Sequence, residues 1–398
     1  MTDERAALLR DFGEWLHFVT DLGRYGDWLW NQSIAAGKWS VREVVGHILK
    51  WDEYFLEGAV AKVGIGQSLT LKHIDYDEFN REAAAYGKEA ASGELVNQAV
   101  RMRTMIISEL SGLTEEQYTA AYKDADGNLF EAAQYIKDFI WHDRHHIGQI
   151  RSLLYFRLEE MSLNGWPALQ TIVYDGWLLR FSEGYTKRSN SVSPIYGHTI
   201  KLTDKIEACE RLYKARGIRP VFKMTPFVKP AELDGELTAR GYGRIDHTFV
   251  KTVHLDQVQL PAHSGIQLEH DLTEEWLAAL SGLYGLSEGQ REVTRKMMEQ
   301  SPLAKCFAIL REEGVPVACG IAVIEDGWIG LYDIVTSANH RNRGFGEQLI
   351  LHVLDWGKRQ GAKHGYLLVV KENAPANRLY EKIGFVHQYD YWYLVHPE

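Results

Sequence analysis

The sequence predicts a multidomain chain, α followed by α+β: an N-terminal four-helix bundle and then two tandem modules of mixed α/β structure. Three observations carry this reading. Apolar residues recur at helical spacing through the first third, and after Leu154 the period shortens to strand-like runs separated by helices. The order of elements in residues 159–255 then reappears in part over residues 256–398. A chain of 398 residues, at ~150 residues per domain, accommodates parts bounded at 1–158, 159–255 and 256–398.

Composition narrows the function classes. Hydrophobic residues make up 45% and charged residues 25%, ordinary for a water-soluble globular protein. A net charge of -10 argues against nucleic acid as the principal partner, because such binding neutralises phosphates with Lys and Arg. The 3 cysteines, Cys209, Cys306 and Cys319, are scattered without metal or redox spacing. The charged start Met1-Thr2-Asp3-Glu4-Arg5 does not read as a signal peptide, and the apolar runs are too short to span a bilayer. The expectation is a cytoplasmic protein with no membrane partner.

In the first part, Leu8, Leu9, Phe12, Trp15, Leu16, Val19 and Leu22 form one helical stripe. Leu95, Ala99, Met102, Met105, Ile106 and Leu110 form another. Between them Ser40 and Glu43 have the spacing of a capping box, which starts a helix at Val41. A further helix is expected from about Asn128 through Ile150. His47 shares a face with Val44, Ile48 and Trp51, and His142 and His146 lie one turn apart beside Phe139 and Ile150. Three unpaired imidazoles in a core are costly, and a shared divalent cation with open coordination positions relieves that cost. His145 competes as a ligand on spacing alone, and core histidines satisfied by Asp138, Asp143 and carbonyl groups are the metal-free alternative.

Trp39-Ser40-x-x-Glu43-x-x-x-His47 and His142-Asp143-Arg144-His145-His146-x-x-Gln149-Ile150 resemble the DinB/YfiT-like superfamily of metal-binding four-helix bundles over residues 1–158. The resemblance implies His47, His142 and His146 as ligands of zinc or nickel. It also implies a possible thiol-dependent transferase or hydrolase activity. Asp138 is either a carboxylate behind an imidazole or an exposed partner of an arginine.

In residues 159–255 the chain reads as a turn and strand at Tyr174–Phe181 and extended backbone at Ser191–Ile200. A helix at Thr203–Arg216 and strands at Pro220–Met224 and His247–Val253 follow. Leu237-Thr238-Ala239-Arg240-Gly241-Tyr242 aligns with Tyr380-Glu381-Lys382-Ile383-Gly384-Phe385. An unrelated small α/β insert is the alternative reading.

The last part begins with helices at Thr273–Tyr284 and Gln290–Glu299. Three strands follow, turning at Glu312-Glu313-Gly314 and Glu325-Asp326-Gly327. Arg341-Asn342-Arg343-Gly344-Phe345-Gly346 then precedes a helix at Glu347–Trp356, which sets a glycine loop at a helix N-terminus, a site suited to pyrophosphate. The strand Tyr366–Val370, Asn373, Ala376, Leu379-Tyr380 and Gly384-Phe385 complete the pattern. Together these residues resemble the acetyl-CoA signature of the GNAT superfamily of N-acyltransferases.

The resemblance implies that Ile334, Val335 and Thr336 pair with pantetheine while Arg341, Asn342, Arg343, Gly344, Phe345 and Gly346 hold pyrophosphate. Asn373 and Ala376 complete the implied cofactor contacts. It implies direct attack of an amine on the thioester, with Tyr380 as general acid; a packed aromatic is the alternative role for Tyr380. For the base, Asp333 is favoured over Glu325 and Asp326. Residues 159–255, which lack the glycine loop, read as a degenerate GNAT-like half that walls the substrate groove. The aromatic run Tyr389–Leu394 reads as core or domain interface. The expected acceptor is a small-molecule or peptide amine. The oligomeric state is left open, a dimer being compatible. A chain whose main chemistry is metal-dependent thiol transfer or hydrolysis in the bundle is the runner-up, and a bundle acting only as a binding module is the third reading.

Overall fold

Ser40 begins the second long helix of the bundle as its sequence requires: its hydroxyl accepts from the Glu43 amide, and the Glu43 carboxylate accepts from the Ser40 amide at 2.7 Å. The computed structural model describes residues 2–262 and 265–397. These form two compact units, Met1–Leu154 and Tyr155–Glu398.

In the first unit the stripe from Leu8 to Leu22 is carried by two helices, α1 (Asp3–Phe12) and α2 (Glu14–Leu22), which break at Gly13. Phe12, Trp15, Val19 and Leu22 are nonetheless buried together. Next come α3 (Val41–Phe55), α4 (Tyr76–Glu89) and α5 (Ser92–Gly112). Helices α3 and α4 meet glycine to glycine: a Cβ on Gly46 would lie 2.6 Å from the Gly87 Cα, so neither position accepts a side chain without parting the helices. Met105 departs from its expected place in the core and is 46% exposed. The last helix of the bundle, α6 (Ala132–Gly165), starts later than expected because Ala121–Lys123 (β1) and Leu129–Glu131 (β2) form a hairpin. It also continues well past Leu154.

The second unit is one mixed sheet flanked by helices. Its elements are β3 (Gln170–Tyr174), β4 (Trp177–Phe181), β5 (Val192–Ser193), α7 (Leu202–Lys214), β6 (Val221–Met224), α8 (Leu233–Ala239) and β7 (Gly243–His254). After these come β8 (Ile266–Glu269), α9 (Glu274–Tyr284), α10 (Glu288–Gln300), β9 (Ala304–Glu312), β10 (Val315–Glu325) and β11 (Trp328–Thr336). The chain ends with α11 (Phe345–Arg359), β12 (His364–Val370), α12 (Ala374–Ile383) and β13 (Val386–Val395). Strand order is β3-β4-β5-β6-β13-β7-β12-β11-β10-β9-β8.

This order interleaves the two halves. The last strand of each half pairs with the penultimate strand of the other: β7 with β12 and β13 with β6, both antiparallel, and β7 and β13 lie side by side. The division at 255/256 is therefore no break in the sheet. The parallel pair β11/β12 is in register from Trp328↔His364 to Leu331↔Leu367, and there it ends. Beyond that point β11 stays with β10 and β12 stays with β7, so the two strands separate towards their C-terminal ends.

Candidate functional site

The separation of β11 from β12 opens a groove of about 850 Å³. It is lined by Ile334, Val335 and Thr336 of β11, by Arg341, Asn342, Gly344, Phe345 and Gly346, and by Asn373, Ala376 and Tyr380 of the following segment. Asn342 (φ 60°) and Gly344 (φ 82°) both take left-handed backbone, which turns the loop sharply into α11. A Cβ on Gly346 would stand 2.9 Å from the Thr336 hydroxyl oxygen, so the missing side chain lets the loop close against β11. The first amides of α11 have no carbonyl within their own helix to donate to and carry its positive dipole end, which suits them to phosphate oxygens.

Two expected contacts differ in detail. Arg343 is absent from the groove lining: its guanidinium pairs with Glu312 and covers the Phe345 ring at 5.0 Å. Asn373 has a local task, since its side chain caps α12 by accepting from the Ala376 amide at 3.3 Å. The Asn-x-x-Ala spacing thus builds the helix that carries Tyr380. Tyr380 itself is 8% exposed, its ring edge-on to Phe385, and burial pushes its phenol up to about 12. It stays protonated at neutral pH.

Asp333 sits on a bulge. Ile321 pairs with Tyr332 and Cys319 with Val335, so Asp333 and Ile334 together face Gly320. Asp333 takes a left-handed φ of 48°, and a Cβ on Gly320 would collide with Ile334 at 2.4 Å. Its Oδ2 is buried without a hydrogen-bond partner. Burial raises the carboxyl to about 6, against the lowering effect of Arg188. The competing carboxylates are elsewhere. Glu325 and Asp326 bind Arg157 at 2.8 and 2.5 Å, at the other end of β11, about 16 Å away along the strand.

Residues that sequence reasoning overlooked come from the loop between β4 and β5. Buried Asn190 knots it: its Oδ1 accepts from the Ser182 and Gly184 amides at 2.7 and 3.0 Å, and its Nδ2 donates to the Tyr185 and Thr186 carbonyls at 2.7 and 2.9 Å. Buried Arg180 donates to the Arg188 carbonyl at 2.8 Å. The knot holds Tyr185 and Arg188 near enough to Asp333 for its charge to act on both. Nothing in Glu183-Gly184-Tyr185-Thr186-Lys187-Arg188 marks this locally; the only signal was the expectation that this half walls the groove.

In the same half the approach to α7 is tied to an internal carboxylate. Where α7 begins, the Asp175 carboxylate takes the Thr199 amide at 2.8 Å, the Ile200 amide at 2.9 Å and Lys205 Nζ at 3.0 Å. These bonds, those from the Ile200 and Thr199 amides first, hold Asp175 far below the usual carboxylate range.

In the bundle, His47 and His142 approach Nε2 to Nε2 at 3.0 Å, and the ligand atoms of His47, His142 and His146 lie within 4.8 Å of one another. Two imidazole lone pairs at that distance require a proton or a cation between them. Burial first, then the neighbouring imidazoles His142 and His146, hold His47 down to about 3; burial followed by His142 holds His146 down to about 4. Both stay neutral and able to ligate. Nδ1 of His47 is buried without a hydrogen-bond partner, Nδ1 of His142 has the Asp143 carboxylate at 3.8 Å, and His146 Nδ1 meets Gln149 at 2.9 Å. His145 is exposed and stacks on Trp141.

The carboxylates have other work. Asp138 accepts from Gln134 at 2.8 Å. Asp143 and Asp52 enclose the fully buried Arg103, at 2.5 and 3.0 Å, directly behind the histidines. A cavity of about 550 Å³, lined by Trp51, Phe55, Tyr76, Asn80, Asp138, Phe139 and Trp141, opens onto the rings of His47 and His142.

Comparison with known proteins agrees with both halves of this picture. Residues 148–394 match the family described as "Probable histone acetyltransferase Rv0428c C-terminal", and residues 5–150 match the DinB superfamily. The "Uncharacterized N-acetyltransferase YobR" of Bacillus subtilis is 29% identical over 233 residues, covering 58% of this chain and 93% of that protein. The "Probable histone acetyltransferase Rv0428c" of Mycobacterium tuberculosis is 26% identical over 246 residues, 59% of this chain and 72% of that one. Among solved structures, a GCN5-related N-acetyltransferase from Kribbella flavida aligns with 61% of this chain and 95% of its own at a TM-score of 0.48 and 17% identity. The chain belongs to the Rv0428c C-terminal family of GNAT-type N-acetyltransferases, with a DinB-superfamily bundle at its N-terminus.

Proposed function

We propose that residues 256–398, walled by the degenerate half 159–255, transfer the acetyl group of acetyl-CoA to a primary amine by direct attack. The observation that carries this is the coincidence, in one groove, of the parted strands β11 and β12, the Gly344–Gly346 loop and Tyr380. Loop amides of 341–346 hold pyrophosphate, and the unpaired edge of Ile334, Val335 and Thr336 holds the pantetheine amides. Acetyl-CoA supplies an activated thioester. Asp333 takes one proton from the acceptor ammonium, a C–N bond forms as the C–S bond breaks, Tyr380 gives its proton to the leaving thiolate, and the second proton released from the acylated nitrogen restores the Tyr380 phenol. Isothermal calorimetry with acetyl-CoA, followed by product detection across an amine library, tests the reading. Saturable binding and a single N-acetyl product are expected; no binding would remove it.

For the bundle we propose that His47, His142 and His146 hold a divalent ion, zinc or nickel. The support is the 3.0 Å approach of His47 Nε2 to His142 Nε2, beside which His47 and His146 are held neutral. The adjoining aromatic cavity favours a second, metal-dependent reaction or a binding role there. Elemental analysis should find about one metal per chain, lost in His142→Ala; equal, negligible content in both proteins would end the metal reading.

A further inference from the structure

The proposed transfer uses Asp333 as its base and leaves one nearby charged group, Arg188, without a task. Arg188 is half-buried with its Nε out of reach of solvent and without a partner. Among the described residues its guanidinium has no carboxylate within 4.0 Å. It is held by ring faces, 5.7 Å from the centres of both Trp166 and Tyr332, and by a loop knotted through Asn190 and Arg180. Asp333, next in the chain to Tyr332, has a buried oxygen equally without a partner. Opposite charges around one residue, Tyr332, ordinarily pair, because burying either one alone is costly. Here each is held apart, one by a knotted loop and the other by a β-bulge with left-handed backbone.

Two fixed and opposite charges describe a molecule carrying both complements. Arg188 presents a planar fork of N–H donors matched to a carboxylate, and Asp333 presents an acceptor for an ammonium. Asp333 directly precedes Ile334, Val335 and Thr336, which line the groove, and Arg188 lies over the ring of Tyr332, the residue before Asp333, so both stand at β11 just where that strand enters the groove. Resting on the acetyltransferase reading above, we propose that the acceptor is an amine that also bears a carboxylate, an amino acid or a compound of that kind, with its nitrogen at Asp333 and its carboxylate on Arg188.

The test is a matched panel with acetyl-CoA: glycine, β-alanine, γ-aminobutyrate and the L-amino acids, each against its own carboxamide. Charge-assisted hydrogen bonds of this type predict that the acid exceeds its amide in kcat/KM by about 30- to 100-fold. In Arg188→Gln that ratio should fall to about 1, with acetyl-CoA affinity measured by calorimetry on the same protein to show that it has folded. Arg188→Lys should keep part of the preference. Equal use of acid and amide by the unaltered enzyme overturns the proposal, as does an undiminished ratio in Arg188→Gln. Acetyl-CoA binding with acetylation confined to amines lacking a carboxylate overturns it too, while leaving the transfer reading intact. Failure to bind acetyl-CoA sinks both.

Discussion

Burial raises both Tyr380 and Asp333, yet the transfer needs the first protonated and the second ionised, and each yields a separate measurement. The Tyr380 phenol, pushed up to about 12 by burial, is a proton donor across the physiological range. Tyr380→Phe keeps the ring against Phe385 and removes only the hydroxyl. Turnover should fall about 100-fold while acetyl-CoA affinity, measured by calorimetry, is retained; unchanged turnover would exclude Tyr380 as the acid. Asp333 must be ionised to accept a proton, and its carboxyl lies at about 6 because burial raises it more than Arg188 lowers it. The rate kcat/KM should therefore decline below pH ~6, where the carboxyl is protonated, and level off above it. Asp333→Asn should abolish that acid limb together with most of the activity. Removing the Arg188 cation should shift the limb upward, since that charge is what restrains the carboxyl. A limb unmoved in Asp333→Asn would assign the titration to another group.

At the scale of elements, the α11 N-terminus carries the cofactor reading. Gly346 is packed against Thr336, and Gly344 supplies a left-handed turn. Gly346→Glu forces a side chain into contact with β11 and sets a carboxylate beside the amides proposed for pyrophosphate. Like charges and lost space act in the same direction, so acetyl-CoA binding should disappear from calorimetry while circular dichroism stays native. Retained binding would move the pyrophosphate elsewhere. This loop was readable in the sequence because its information is local: glycine spacing, then helical periodicity. So was the Ser40–Glu43 box, whose partners are three residues apart. Arg188 was not, since its meaning depends on a knot through Asn190 and on Tyr332, far along the chain. The three histidines were legible as candidates by helical phase, and spacing left His145 in competition with the His146 that the resemblance implied; the fold turns His146 inward and His145 out onto Trp141. The Arg103 that binds Asp143 likewise reads as an ordinary polar residue of a helix until a buried Asp52 and Asp143 enclose it.

At the scale of the acetyltransferase unit, the crossing of β7 and β13 decides how it folds. Strand periodicity identifies the strands in the sequence but does not name their partners, so the halves 159–255 and 256–398 read as separable domains. In the sheet, β7 is in register with β12 from Thr248↔Val370 to His254↔His364, and β13 bonds β6 from Val221↔Val395 to Met224↔Trp392. A fragment 256–398 made alone would expose the backbone edges of β12 and β13 that β7 covers. It would also expose the Val253 and Leu255 side chains' share of the core around Leu354, Leu367 and Phe385. Exposed edges of this kind favour association between chains. Each half alone should therefore be aggregated or unfolded by circular dichroism, whereas the two produced together should assemble and bind acetyl-CoA. Denaturation of residues 155–398 should follow one transition, with tryptophan fluorescence and far-UV signal coincident, because neither half can lose its last strand without unpairing the other. A soluble fragment 256–398 that binds acetyl-CoA with the affinity of the full chain would show that the exchanged strands are dispensable, and the groove would then be a property of one half.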